Sequence, residues 1–162
     1  MTLRIGVTGH RRYRASSATD AALDSVLSRL VAGDSSIVVV SSLAEGADRV
    51  VCHRLLPLPG ATLEVVLPLD AADFADDFES AESRAEFAQL LAAATRVDVV
   101  ATGDSRDEAY ERAGHGVVAR CDVLVAMWDG SPSRGRGGTA DIVRYALEHD
   151  VMVEVVLVER DP

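Results

Sequence analysis

The 162-residue chain has no lysine, no asparagine, only two cysteines and few aromatic residues, at 4%. Each scarcity removes a chemistry. Without lysine there is no Schiff-base amine, no lysine general base and no Walker A loop. All sixteen of its Lys and Arg positions are arginine, a bias that codon usage in a GC-rich genome explains, so any bound phosphate must rest on guanidinium and backbone N–H groups. Cys52 and Cys121 stand apart, without Cys-x-x-Cys or metal-ligand spacing, and read as buried thiols in a reducing compartment; no metal site is expected. No apolar run reaches the ~20 residues that span a bilayer, and no signal-peptide core precedes the first strand. A cytoplasmic protein with no membrane partner is expected.

What is present is enough apolar material, 48%, for a sizeable core, and the length is that of one domain over residues 1–162. The formal net charge of -10 and the pI near 4.7 argue against nucleic acid as a partner, because phosphate backbones are bound by basic surfaces. A local basic pocket stays open.

Short β-branched runs alternate with helical patterns along the chain. Strands are expected at Leu3 to Thr8, Ile37 to Ser41, Thr62 to Leu67, Val97 to Ala101, Asp122 to Met127 and Val151 to Val158. Helices are expected at Ala18 to Ala32, Glu45 to Leu56, Glu79 to Ala94, Asp107 to Ala119 and Thr139 to His149. Continuous apolar strands alternating with helices define a Rossmann-like, doubly wound α/β fold: a mainly parallel sheet of about six strands, covered on both faces. Ser42 and Glu45 fit a capping box opening the second helix. The acidic stretch Asp70 to Glu86, interrupted by Phe74 and Phe78, reads as an irregular crossover in preference to a flap over the site.

In such a sheet, ligands bind beyond the carboxyl ends of the strands where strand order reverses. The loops that meet there carry Thr8, Gly9, His10 and Arg11 after the first strand, Ser41, Ser42 and Glu45 after the second, Pro68 after the third, and Trp128 to Thr139 after the fifth. Gly137 and Gly138 leave room for a phosphate oxygen beside the helix that starts at Thr139, whose N-terminal N–H groups attract anions. Arg134 and Arg136 can add a planar fork. His10 either donates a proton or orients a ligand, or else caps a turn; Trp128 either stacks on a base or packs at the rim. His53, His115 and His149 lie on helices and read as structural. The first loop lacks the third glycine of Gly-x-Gly-x-x-Gly, so an ordinary NAD fingerprint is absent.

Taken in order, Gly6-Val7-Thr8-Gly9-His10-Arg11, Ser41 to Arg49, Val66-Leu67-Pro68, Cys121 to Gly130 and Gly135 to Ala140 resemble the SLOG superfamily. That group joins the core of the DNA-processing protein DprA, the LOG-type phosphoribohydrolases, and ligand-sensing domains of bacterial defence systems and TRPM channels. The resemblance runs over nearly the whole chain and implies a Rossmann-like fold, a nucleotide-derived ligand held at the glycine loop, no required cofactor, and association into homo-oligomers. LOG-type enzymes carry Pro-Gly-Gly-x-Gly-Thr-x-x-Glu; here Ile142 stands at the glutamate position and Asp141 lies one residue earlier, which turns its side chain by about 100°.

These readings lead to an expected binding or sensing domain for a nucleotide or nucleotide-derived small molecule. Its phosphate would rest on Gly137, Gly138 and Thr139 with Arg11 or Arg136, while Ser41, Ser42 and Asp129 fix ribose or base. The alternative is a phosphoribohydrolase acting on nucleoside monophosphates, with Asp141 or Glu45 as its carboxylate. A DprA-like binder of single-stranded DNA is a third reading, which the net charge disfavours.

Overall fold

A computed structural model describes residues 1–33, 36–101 and 103–162. In chain order its elements are β1 (Thr2–Gly9), β2 (Tyr13–Arg14), α1 (Ser17–Val31), β3 (Ser36–Ser41), α2 (Ala47–Leu55), β4 (Thr62–Leu67) and α3 (Ala71–Ala75). There follow α4 (Ala81–Ala93), β5 (Arg96–Val99), α5 (Arg106–Ala119), β6 (Val123–Trp128), α6 (Thr139–Glu148), β7 (Met152–Leu157) and β8 (Glu159–Arg160). Six strands form one sheet in the order β5-β4-β3-β1-β6-β7, and every neighbouring pair is parallel. The doubly wound α/β expectation therefore holds, with strand limits within a few residues of those read from the pattern.

The apolar strands are continuous because each of their faces is buried. Adjacent residues point to opposite sides of a strand. Val39, Val65 and Val125 enter the core shared with Leu23, Leu27, Val51 and Phe87, whereas Val40, Val66 and Leu124 enter the core under α5 and α6. Gly6 allows α5 to lie close against β1: a Cβ there would stand 3.0 Å from Val117 Cγ1. Cys52 is buried and Cys121 half-buried, and burial pushes their thiols up to about 12 and about 11.

Helix starts follow the serines. Ser16, Ser80 and Ser105 each accept a hydrogen bond from the backbone N–H three residues on, opening α1, α4 and α5. The capping box expected at Ser42 and Glu45 does not form. The chain turns instead through two positive-φ residues, Leu43 (58°) and Gly46 (80°), and α2 starts only at Ala47, with Gly46 as its N-cap. The Ala47 N–H goes to the His10 carbonyl at 3.2 Å, which fastens this loop to the exit of β1. Glu45 then reaches away from its own helix and accepts from Ser83 Oγ at 2.6 Å.

The acidic stretch is an ordered crossover between β4 and β5. Phe74, Phe78 and Phe87 are buried and meet edge-on, with ring centroids 5.0 to 5.6 Å apart. Two features escape the hydrophobic pattern: the single turn α3, and the antiparallel pair β2–β8, which joins Tyr13 to Arg160 and Arg14 to Glu159. Among the described residues no helix is long and apolar enough to cross a membrane.

Candidate functional site

From β1 the chain moves outward through β3, β4 and β5, then returns to lay β6 against the other side of β1. Strand order thus reverses between β1 and β6, and their carboxyl ends open a crevice. Gly9 sits at its base: a Cβ there would stand 2.8 Å from the Met127 carbonyl oxygen, so only glycine lets β1 leave between β6 and α2. The next residue is held on both sides, its N–H on Met127 O at 3.1 Å and its carbonyl on Ala47 N. That residue, His10, is 6% exposed.

The His10 ring meets the loop that follows β6. Its Nε2 lies 3.0 Å from Asp129 Oδ1 and 3.2 Å from the Asp129 N–H. Asp129 Oδ1 also accepts from Ser131 Oγ at 2.6 Å and from Ser131 N at 3.0 Å. These Ser131 donors first, and His10 after them, hold the Asp129 carboxyl well below the usual carboxylate range. Trp128 donates its indole N–H to Ser131 O at 2.9 Å, bracing the same turn.

Further along, the loop is tied to the start of α6. Ser133 Oγ accepts the Asp141 N–H, and Asp141 Oδ2 accepts the Gly137 N–H, both at 3.2 Å. Gly138 is the N-cap and supplies no side-chain acceptor, so the Thr139 and Ala140 N–H groups have no acceptor among the described residues. Arg136 forms a two-pronged pair with Glu111 at 2.8 and 3.1 Å.

These pieces enclose a cleft of about 480 Å³. Of the residues expected in a site, Thr8, Gly9, His10, Arg11, Ser42 and Pro68 line it from the exits of β1, β3 and β4. Arg136, Gly137, Gly138 and Thr139 line it from the opposite loop. Four others stand outside the lining and do internal work: Ser41 donates to Asp48 at 3.1 Å, Glu45 holds Ser83, Trp128 and Asp129 shape the turn. Asp141 is also outside; it pairs with Arg144 as well as Gly137.

Several lining residues were missed. Arg160 and Asp161 arrive through the β2–β8 pair, and Tyr110 arrives from α5. No local signal marks them, because their place depends on pairings remote in sequence. Arg134 was visible as a loop arginine, and Arg12 follows Arg11 from the exit of β1. Asp48 is 6% exposed and lines the cleft, and its carboxyl is pushed up to about 6 by that burial, against the pull of hydrogen bonds from Ser41, Ala44 and Ser42.

Five arginines therefore border one cleft of an acidic protein: Arg11, Arg12, Arg134, Arg136 and Arg160. Arg12 pairs with Glu79 and Arg136 with Glu111, whereas Arg11, Arg134 and Arg160 make no ion pair among the described residues. Arg11 lies over the Tyr110 ring, 5.2 Å from its centroid.

Fold and crevice together define a doubly wound α/β domain with an anion-suited cleft at its switch point. The fold is DprA-like: the chain superposes on DNA processing protein A from Helicobacter pylori with a TM-score of 0.61 at 17% identity, over 94% of this chain and 64% of that one. The chain thus spans about two-thirds of that protein's length. The Helicobacter protein is described for its single-stranded DNA binding mode. No protein-family model matches the chain, and no curated protein matches it.

Two expectations are corrected by this comparison. A small nucleotide-type ligand was expected and nucleic acid disfavoured, yet the neighbour sharing the fold is described as binding single-stranded DNA. The expectation rested on net charge, which is a sum over the whole surface, whereas five arginines gather on one cleft. The phosphoribohydrolase alternative gains no support from the comparison either.

Proposed function

We propose that this chain is a DprA-like domain of the SLOG type that binds single-stranded nucleic acid across the cleft between β1 and β6. The observation that carries the reading is the concentration of five arginines on that cleft, three of them without an ion pair among the described residues, in a chain of net charge -10. Phosphate oxygens would be taken by Arg11, Arg134 and Arg160 and by the open N–H groups of Thr139 and Ala140. Tyr110, with Arg11 over its ring, offers a platform for a base. The fold likeness to a protein described as binding single-stranded DNA supports the choice of strand over small ligand.

The test is anisotropy of a labelled oligo(dT) at several salt concentrations. Three phosphate contacts on a single strand imply a slope of log Kobs against log salt of about -2. Absence of binding at low salt overturns the reading.

A further inference from the structure

Asp48 runs against the character of the cleft it lines. The cleft offers arginines and open N–H groups suited to phosphate, yet Asp48 brings a carboxyl to it from the first turn of α2 and is 6% exposed. The loop after β3 holds that carboxyl in place. Ser41 Oγ donates to Oδ2 at 3.1 Å, the Ser42 and Ala44 N–H groups donate to the same carboxyl, and the Leu43 N–H fixes Ser41 Oγ at 2.9 Å. These donors do not balance the charge: burial outweighs them, and Asp48 forms no ion pair among the described residues, Arg11 acting on it only from beyond pairing distance. At pH 7.5 the cleft therefore holds a buried, ionised carboxylate with room for a further donor.

A phosphate is repelled by such a group. A metal ion does not fit it either, since no three His, Cys, Asp or Glu side chains gather to hold one among the described residues. On a DNA strand, away from its ends, the sugar-phosphate chain carries no N–H or O–H, so the donors are those of the bases.

We propose that Asp48 is a base-reading residue: while the rim arginines take phosphates, its carboxylate accepts the N1–H and exocyclic N2–H of a guanine turned into the cleft. The proposal rests on the nucleic-acid reading of the cleft and adds a sequence preference to it. Guanine sets two N–H donors side by side, matching the two oxygens of a carboxylate. Thymine has a single N–H between two carbonyl oxygens, which the carboxylate repels. Cytosine and adenine each place one amino group beside a ring-nitrogen acceptor and fall between.

The experiment measures, by competition anisotropy at pH 7.5 and low salt, the affinity of three single strands of equal length. They are oligo(dT), the same strand with deoxyguanosine at regular intervals, and that strand with deoxyinosine replacing deoxyguanosine. One base contact of this kind predicts roughly tenfold tighter binding of the guanine strand than of oligo(dT). Inosine keeps N1–H and lacks the exocyclic amine, so its strand should lose a large part of that gain, whereas purine stacking alone would favour both alike. In D48N the guanine-to-thymine ratio should fall close to one. Equal affinity for the guanine and thymine strands, inosine binding as tightly as guanine, or a ratio that D48N leaves unchanged each overturns the proposal while leaving strand binding intact. Binding of no strand at low salt overturns the nucleic-acid reading and this inference with it. The inosine arm uses the unaltered protein, so it decides even where D48N fails to fold.

Discussion

Arg11 and Arg12 stand on a ridge between two clefts of similar size, about 480 and 450 Å³, whose linings carry opposite charge. On one side the arginines are joined by Arg134, Arg136 and Arg160, with Asp48 and Asp161 as the acidic side chains of the described lining. On the other they meet Arg49 together with Glu45, Asp77, Glu79, Glu82 and Glu86. Arg49 is also committed to structure: it is 3% exposed, donates to Leu43 O, Ser83 O and Glu86, and lies 4.4 Å from the Phe78 ring centroid. The lesson is that volume does not select the site. The first cleft has cations and backbone donors to offer, while the second has used Arg49 to hold α4 against α2 and sets five carboxylates against the two arginines it shares.

The comparison breaks most directly by reversing the first cleft's charge. R11E, R134E and R160E combined should weaken oligo(dT) binding at least about a hundredfold, and retained affinity by anisotropy would move the strand elsewhere. Next comes the ridge. A Cβ at Gly46 would stand 2.6 Å from the His10 carbonyl oxygen, at a φ of +80°. G46A should therefore cost about 2–3 kcal/mol in urea unfolding and loosen both clefts together.

Asp48 sharpens the contrast through pH. Its carboxyl binds a proton at about 6 in the folded protein and near 3.9 in the unfolded chain. Between those values the folded state holds the extra proton, so stability rises as pH falls from 7 toward 5, by about 1 kcal/mol, and D48N should flatten that limb of the chemical-denaturation profile. The smallest effects come from single rim carboxylates. E111Q releases Arg136 and should tighten strand binding by roughly two- to threefold, with a steeper salt slope. E82Q, in the second cleft, should change it by less than about twofold.

Much of the architecture was legible because it depends on local pattern. Apolar runs of strand length and the helical patterns between them each act over a few residues. The strand exits were legible for the same reason, and Thr8 to Arg11 and Arg136 to Thr139 line the cleft. What was hidden depends on contacts made across the fold. Ser42 and Glu45 match a capping box, but the tie from Ala47 to His10 turns that loop aside. Trp128 and Asp129 lie at the right strand end, yet Ser131 draws them into the turn. Arg160 and Tyr110 reach the cleft through pairing and packing that no window of sequence contains, and the net charge hid the clustering of the arginines.

The short pair between Tyr13–Arg14 and Glu159–Arg160 also divides the site from the sheet that carries it. The six parallel strands hold one another through their own ladders, whereas Arg160 takes its place on the rim through a clasp two residues long. Fraying of that clasp would dismantle one wall of the cleft and leave the packed sheet whole.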